Sequence, residues 1–358
     1  MPSKLIFWFS DITKDDVNLV GAKCVNLAEM ARIGIAVPQG FALSTLAYKQ
    51  FMSKTGTGKK IENYLSKFSD ELRDYKWAEK AGRHIRQIVE ATVMLADIQK
   101  EIITSYERLS ELCGIADVPV SIRSSGPVSY PGLFETYLNV RGNSEIIQKV
   151  VRCWASVFSP QAIAMRAQKG LAVDTEPIGV GIQRMVKTRS AGVLFSCHPI
   201  TGDISKAVIE SSWGLGTSVV QATVAPDRFT VNKDTLSIEE RVVNRKDSQV
   251  LPAKQGIKSK PVPSGKQSKP SLTGNEIREL VKLAKIVEKH YAGTPQDIEW
   301  VVADGLPFPS NILLVQTRPA VGIDTGKSDM TKPKGKDESE HILDLMIKRL
   351  YTKKPTGK

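Results

Sequence analysis

The chain has 358 residues, 41% apolar and 25% charged, values typical of a soluble globular protein large enough for two or three packed units. No apolar run is long enough to span a bilayer, which argues against a membrane-spanning segment and predicts no membrane partner. The formal net charge of +12 is compatible with nucleic-acid binding, but much of the excess lies in 245–270 and 326–358. Because no basic face studded with aromatic residues is visible, we expect no nucleic-acid partner.

The first half of the chain is predicted to be mainly helical. A turn at Gly21 precedes a helix that stops at Gly34, and a short strand pair is expected around Pro38–Gly40. Residues 45–115 repeat Leu, Ile and Val at helical spacing, and 144–170 does so with one proline break.

From residue 178 the pattern changes to short β-rich segments bounded by Gly, Pro or Asp. Residues 244–272 hold many Lys, Ser and Pro and almost no large apolar residues, which predicts a flexible loop. Thr273 and Glu276 have the spacing of a capping box ahead of an amphipathic helix, and two further strands follow. The basic tail over 323–358 is expected to dock either on this chain or on a partner.

The cysteines and the N-terminal residues bear on location. The four cysteines are scattered, without a CxxC pair or a spacing typical of disulfides. The first residues lack the basic start and the small-residue cleavage site of a signal peptide. Both features predict a cytoplasmic protein.

The stretch VPVSIRSSGPVSYPGLFETYLNV (118–140) combines a strand that ends in an arginine with a loop rich in Ser and Gly. Backbone amides of such a loop can wrap phosphate oxygens, and Arg123, Gly132 and Thr136 are the candidates there. Lys23 opens a predicted helix, so its ammonium group and the helix N-terminus are both candidates to meet a phosphate. Taken alone, these features also fit a hairpin with a long loop and an exposed surface lysine.

Two later strands carry candidates for the nucleoside. In GIQRMV, the Gln183 amide suits a base edge and the Met185 thioether can pack on the base. In VIESSWGLG, Glu210 is a carboxylate that needs a partner if it is buried, and a ribose would supply one. A plain core strand explains the first pair better when it is taken alone.

The segments PQDIEW and LLVQTRP are the most informative pair. Asp297 and Glu299 alternate along one strand, so both carboxylates share a face, and Gln316 and Arg318 do the same on the next strand. Two carboxylates, an amide oxygen and a guanidinium suit Mg²⁺ that bridges nucleotide phosphates. The alternative is a cross-strand salt bridge on a solvated sheet face.

Together, six ordered blocks resemble the nucleotide-binding domain of phosphoenolpyruvate synthase, pyruvate phosphate dikinase and rifampicin phosphotransferase. The resemblance covers roughly 8–320 and rests on GAKCVNLAEMARIGIAVPQGFALS, VSIRSSGPVSYPGLFETYLNVRG, CWASVFSPQAIAMR, QRMV…AGVLFSCHPITGD, VIESSWGLGTSVV…VAPDRFTVNK and GTPQDIEW…LLVQTRPA. It implies an α+β, ATP-grasp fold in which two subdomains, 1–175 and 176–322, enclose ATP and Mg²⁺.

The resemblance also implies residue roles. Carried onto matching positions, it predicts phosphate ligands at Lys23, Arg123, Gly132 and Thr136. It places Gln183 on the adenine side. Glu299 and Gln316 would bind metal and nucleotide, and Arg318 would bind phosphate. The three basic groups, Lys23, Arg123 and Arg318, would neutralise charge on the transferring phosphoryl group.

Two departures from the family pattern shape the functional hypothesis. The family's full-length enzymes continue into a domain with a phosphorylated histidine and an acceptor-binding barrel, whereas the four histidines here lie in none of the expected contexts. The loop after Arg123 also lacks the acidic insertion typical of phosphoenolpyruvate synthases.

These departures favour a chain similar to the ATP-binding subunit of phenylphosphate synthase. It would transfer the pyrophosphoryl group of ATP to a histidine on a partner subunit and release AMP. The small acceptor that is finally phosphorylated would be phenol. It is expected to be inactive without that partner. A split phosphoenolpyruvate synthase acting on pyruvate is the alternative, and a nucleotide-sensing module without catalysis is a second.

Overall fold

The computed structural model describes residues 4–68, 74–127, 135–168 and 177–320. The chain forms two compact units of mixed helices and sheets, so the α+β class is confirmed. The first unit comprises Met1–Arg32, Pro38–Val186 and Pro252–Ile257, and the second comprises Ile33–Val37, Lys187–Leu251 and Lys258–Lys358. Gly132 and the tail predicted over 323–358 lie outside the described residues.

The first unit is built on a five-stranded antiparallel sheet with the order β1-β2-β5-β3-β4. Its strands are β1 (Ile6–Trp8), β2 (Gly40–Leu43), β3 (Val120–Ser125), β4 (Thr136–Val140) and β5 (Gly179–Arg184). Only β2 forms where a strand pair was expected around Pro38–Gly40, and it pairs with β1 and β5 instead.

Helices pack on both faces of this sheet. They are α1 (Val17–Val20), α2 (Ala22–Arg32), α3 (Thr45–Lys54), α4 (Thr57–Leu65), α5 (Tyr75–Glu90), α6 (Ala96–Cys113), α7 (Asn143–Ala155) and α8 (Pro160–Gln168). The core of the unit packs Ile122 and Ile182 from the sheet against apolar side chains of α3 to α8, among them the fully buried Trp154. The helical pattern predicted for 45–115 is confirmed as four helices, α3 to α6.

The second unit is built on a six-stranded antiparallel sheet with the order β13-β12-β6-β7-β8-β9. Its strands are β6 (Thr188–Phe195), β7 (Lys206–Trp213), β8 (Asp227–Asn232), β9 (Ile238–Val242), β12 (Gln296–Ala303) and β13 (Ile312–Pro319). The remaining elements are α9 (Thr217–Val220), β10 (Ser248–Pro252), β11 (Ile257–Pro261), α10 (Ser264–Gln267) and α11 (Gly274–His290).

Close packing in this sheet explains one glycine. A Cβ at Gly192 on β6 would lie 1.8 Å from the carbonyl oxygen of Glu210 and 2.9 Å from the Trp300 ring. Trp300 is 1% exposed, so its indole takes the space that a side chain at 192 would need. The helix α11 begins as predicted, because the Thr273 hydroxyl accepts from the amide of Glu276 at 3.3 Å and the Glu276 carboxylate accepts from the amide of Thr273 at 2.9 Å.

The prediction of a flexible loop over 244–272 is wrong about secondary structure, because β10, β11 and α10 lie there. The strands β10 and β11 form a two-stranded sheet, and the Asn139 side-chain amide donates to the carbonyls of Ala253 and Gly256, both at 2.8 Å. Every residue of β11 is exposed, so this strand has no apolar pattern that a sequence could display. Over the parts of the chain that the structure describes, no helix combines the length and apolar character needed to cross a bilayer.

Candidate functional site

In the first unit, three of the predicted site residues share one face of the sheet. Arg123 on β3 pairs with Thr136 on one side and with Gly181 on the other, and Gln183 lies two residues beyond Gly181. Directly paired residues, and residues two apart, point to the same face of a sheet. The neighbouring residue Ile122 is fully buried on the opposite face, against the core that α3 to α8 form. Arg123, Thr136 and Gln183 therefore lie on the face opposite Ile122.

The start of α2 is joined to the end of β3. The amide of Ala22 donates to the carbonyl of Gly126 at 2.8 Å, and the Lys23 ammonium donates to the carbonyl of Ser124 at 3.0 Å. The lysine is thus half-buried and hydrogen-bonded beside Arg123, and the interpretation of Lys23 as a freely exposed surface lysine is wrong. The helix N-terminus itself is engaged with the strand end, so the lysine side chain is the stronger phosphate candidate.

This junction depends on Gly21 and on the small residues around it. Gly21 has φ of +79°, and a Cβ there would lie 2.1 Å from the carbonyl oxygen of Ser125. The amide of Cys24 donates to the Ser125 hydroxyl at 3.3 Å, and a Cβ at Gly181 would lie 3.0 Å from the Cys24 sulfur. Burial raises the pKa of the Cys24 thiol to about 11, so it stays protonated at neutral pH and is a packing group rather than a nucleophile.

Gln183 and Met185 have protein partners of their own. The Gln183 amide is 3% exposed and donates to the carbonyl of Pro38 at 3.3 Å. The Met185 sulfur lies 2.9 Å from the amide nitrogen of Asn139, and its own amide donates to Pro119 at 2.7 Å. Gln183 lies on the same sheet face as Arg123. The role of Gln183 and Met185 toward a base stays a prediction.

In the second unit, the pairing of β12 with β13 sets the predicted acidic and basic residues against each other. Asp297 lies directly opposite Arg318, and Glu299 lies directly opposite Gln316. The Arg318 guanidinium donates to one Asp297 carboxylate oxygen from Nε at 2.8 Å and from Nη2 at 2.6 Å. Burial raises the pKa of Asp297, and the Arg318 charge offsets part of that effect.

The pairing extends across the sheet as one row. Gln316 pairs with Glu299, Glu299 with Val193, Val193 with Glu210, and Glu210 with Arg228. All five therefore share a face, with neighbouring strands about 5 Å apart. Three residues that are far apart in the sequence, Glu210, Glu299 and Gln316, are brought into one line by the strand order.

Glu210 has its charge partner within the protein. Its carboxylate accepts from Nη2 of Arg228 at 3.0 Å and from Nε at 3.2 Å. Burial raises the pKa of Glu210, and the Arg228 guanidinium counteracts this effect. Arg228 therefore already supplies a partner for this buried carboxylate, and a contact between Glu210 and a ribose stays a prediction. Arg228 was missed because only the register of β7 against β8 shows that it faces Glu210.

The donor set at the end of this row fits Mg²⁺. Glu299 offers a carboxylate and Gln316 an amide oxygen on neighbouring strands, and Mg²⁺ prefers a few such hard ligands while it keeps water and phosphate oxygens. Among the residues that the structure describes, no group of three or more His, Cys, Asp and Glu side chains forms a self-sufficient metal site. Two oxygen donors leave most positions around Mg²⁺ to water and phosphate oxygens, so the pair suits a metal that arrives with a nucleotide.

Comparison with known proteins shows which family the chain resembles. The family described as "Pyruvate phosphate dikinase, AMP/ATP-binding domain" matches residues 17–340. A probable phosphoenolpyruvate synthase of Staphylothermus marinus is 38% identical over 344 residues, with 88% of this chain and 41% of the relative covered. The phosphoenolpyruvate synthase of Aeropyrum pernix is 37% identical over 350 residues, with 89% and 42% covered.

The matched relatives are longer than this chain, and the similarity to a solved structure is weak. The chain spans less than half the length of these curated relatives. Among solved structures, D-cycloserine synthetase DcsG aligns with 90% of this chain and 68% of its own, at 10% identity and a TM-score of 0.27, which is too weak to support an argument about fold. With most of its length matched by the family profile, the chain belongs to the pyruvate phosphate dikinase AMP/ATP-binding domain family.

Proposed function

We propose that the chain is the ATP-binding part of a dikinase-type phosphotransferase and that its two units form an ATP-grasp fold. The observation that carries the proposal is the arrangement in the first unit, where Lys23, Arg123 and Thr136 come together at the end of β3. Two cations and a hydroxyl gathered at one strand end, with Thr136 exposed, suit a polyphosphate. Membership of an AMP/ATP-binding domain family supports ATP as the nucleotide that carries this polyphosphate.

Each group has a chemical role in this proposal. Lys23 and Arg123 neutralise negative charge on the phosphates, and Thr136 donates a hydroxyl hydrogen bond. In the second unit, Glu299 and Gln316 would hold Mg²⁺, which lowers the repulsion between phosphate oxygens and an incoming nucleophile. Arg318 would bind a phosphoryl oxygen, with Asp297 fixing the plane of its guanidinium.

The reaction proposed is transfer of the pyrophosphoryl group of ATP to a histidine on a partner domain or subunit. The imidazole nitrogen forms a bond to the β-phosphorus. The bond between the β-phosphorus and the oxygen that bridges it to the α-phosphorus breaks. AMP leaves with the bridging oxygen. The pyrophosphohistidine then loses phosphate to water, and the remaining phosphohistidine phosphorylates a small acceptor.

Pyruvate is the acceptor that we propose first, because the relatives at 37% and 38% identity are named as phosphoenolpyruvate synthases. Phenol, which the sequence resemblance favoured, is the second acceptor to assay.

The test has two parts. Calorimetric titration of the chain with ATP in the presence of Mg²⁺ should show saturable binding that weakens when Mg²⁺ is removed. The chain is then mixed with a protein that carries the family's histidine and acceptor domains, and AMP release is assayed with pyruvate, with phenol and with neither. Binding without AMP release under any condition would favour the nucleotide-sensing module, and no binding would overturn both functions.

A further inference from the structure

Resting on the proposed ATP site, we propose that Arg86 acts through Glu135 as a positioning residue for Thr136. Neither Arg86 nor Glu135 belongs to the set of ligands assigned above. Their contacts fix the two residues on either side of Thr136 and leave Thr136 itself exposed. The inference concerns how the hydroxyl is held in place.

The Glu135 carboxylate is bound at both oxygens. Nη2 of Arg86, on α5, donates to one oxygen at 2.6 Å, and the Tyr137 hydroxyl donates to the other. The tyrosine ring packs against the hydrophobic core of the first unit, in the row of the fully buried Ile122. Glu135 and Tyr137 are therefore tied to the face of the sheet that carries Ile122.

The side chain between them points the other way. Successive residues of a strand alternate between faces, and Thr136 is the direct partner of Arg123 rather than of Ile122. A rotation of the strand about its axis would bring Thr136 away from Arg123, and the anchors on either side oppose that rotation. The carboxylate thus acts on the site through the backbone, without contact to a ligand.

A second acidic residue, Glu90, also contacts Arg86. Arg86 lies 3.7 Å from the Glu90 carboxylate, whose other oxygen lies 3.6 Å from Nε of Arg152 on α7. The Lys149 ammonium lies 5.4 Å from the centre of the Tyr137 ring, a distance at which cation–π attraction operates. Two helices therefore hold the first residues of β4 through charged contacts.

A purely structural ion pair is the competing explanation. The side chains of Arg86 and Glu135 are 29% and 37% exposed, and pairs with that exposure contribute little to stability. A structural pair predicts a small loss of stability and no specific effect on nucleotide binding. A positioning pair predicts a larger effect on binding than on stability, and one that disappears when the positioned hydroxyl is absent.

The test is a double-mutant cycle on ATP affinity, measured by calorimetry with Mg²⁺ present. Arg86→Met should weaken ATP binding about tenfold while it lowers the melting temperature only slightly. In the Thr136→Val background, the same substitution should have almost no further effect, because the group that it positions is gone. Arg86→Lys should recover part of the affinity, since it keeps a charge for Glu135 without the planar fork.

Arg83→Met is the matched control. Arg83 lies on the same helix, three residues earlier, and its contact with Glu79 at 3.0 Å is well exposed. We expect unchanged ATP affinity from it. Equal losses from Arg86→Met in both Thr136 backgrounds, or no loss in either, would overturn the positioning role while ATP binding by the unaltered chain keeps the proposed function intact. Absence of ATP binding by the unaltered chain would instead overturn the proposed function and this inference with it.

Discussion

Arg123 on β3 and Thr136 on β4 are direct cross-strand partners on the sheet face opposite the fully buried Ile122. The antiparallel ladder holds their Cα atoms opposite each other, so both side chains leave the sheet on the same face. Lys23 reaches the same strand end through its 3.0 Å hydrogen bond to the carbonyl of Ser124. Prearranged donors of this kind are the ones that stabilise developing charge most effectively.

Arg123→Ala should therefore lower AMP release in the presence of the histidine-bearing partner by about 100-fold or more. Arg123→Lys should recover part of the rate, because the charge is kept but the bidentate geometry is lost. A time course of AMP formation by chromatography measures both variants against the unaltered chain. Near-normal turnover by Arg123→Ala would remove Arg123 from the reaction.

The sequence predicts the local parts of this arrangement well. Period-2 alternation places Asp297 with Glu299 and Gln316 with Arg318, and the structure has each pair on one face with the two strands adjacent. The capping box before α11 is equally local, since Thr273 and Glu276 lie within one turn. Such features depend on neighbours in the chain, so a sequence displays them.

The sequence alone did not predict contacts between residues that lie far apart along the chain. Arg228 satisfies Glu210 only because β8 pairs with β7 in one particular register. Lys246 is fully buried in the segment predicted to be a flexible loop, and its ammonium contacts the buried carboxylate of Asp227. A lysine in a Lys-rich and Pro-rich stretch indicates solvent exposure unless its partner, 19 residues earlier, is known.

The pairing of Glu299 with Gln316 predicts how ATP binding depends on magnesium. Glu299→Gln removes the single negative charge of this pair, so ATP affinity at about 1 mM Mg²⁺ should fall on the order of tenfold, and higher Mg²⁺ should restore part of it. The measurement is ATP titration at several Mg²⁺ concentrations. Glu240→Gln, on the exposed edge strand β9, is the control and should leave the affinity unchanged. If the Mg²⁺ dependence of the Glu299 variant matches that of the control, the metal does not bind there.

Two glycines with a similar positive φ differ in the space around them. Gly34 has φ of +83°, and a Cβ there would meet no atom within 4 Å, whereas Gly21 has φ of +79° and its Cβ would meet the carbonyl oxygen of Ser125 at 2.1 Å. Gly34→Ala should cost about 1–2 kcal/mol of unfolding free energy, the cost of the left-handed conformation alone.

Gly21→Ala should cost clearly more than Gly34→Ala, because the start of α2 must also move away from β3. The movement would break the bond from Lys23 to Ser124, so ATP affinity should fall in this variant and stay unchanged in Gly34→Ala. Urea unfolding and ATP titration measure the two effects. Equal stability losses in both variants would show that the junction is loose enough to absorb a methyl group.

The buried start of α11 predicts a specific pH dependence of stability. Burial acts to raise the pKa of Glu276, but hydrogen bonds from Arg189 at 2.8 Å and from Thr273 outweigh it, and the net pKa lies below the usual value. A carboxyl group whose pKa is lower in the folded state stabilises the fold above its unfolded pKa of about 4.3, and that stabilisation is lost as the pH falls through the lower, folded pKa.

Glu276→Gln should therefore be about 1 kcal/mol less stable than the unaltered chain at pH 7. The gap should narrow as the pH falls below about 4, because protonation removes the charge that the variant already lacks. Urea unfolding from pH 7 to pH 3 measures the gap, with Glu279→Gln on the same helix as the control, since its contact with the exposed Lys282 is expected to contribute little at any pH. A gap that stays constant over this range would show that the helix start is held by the shape of the side chain and not by its charge.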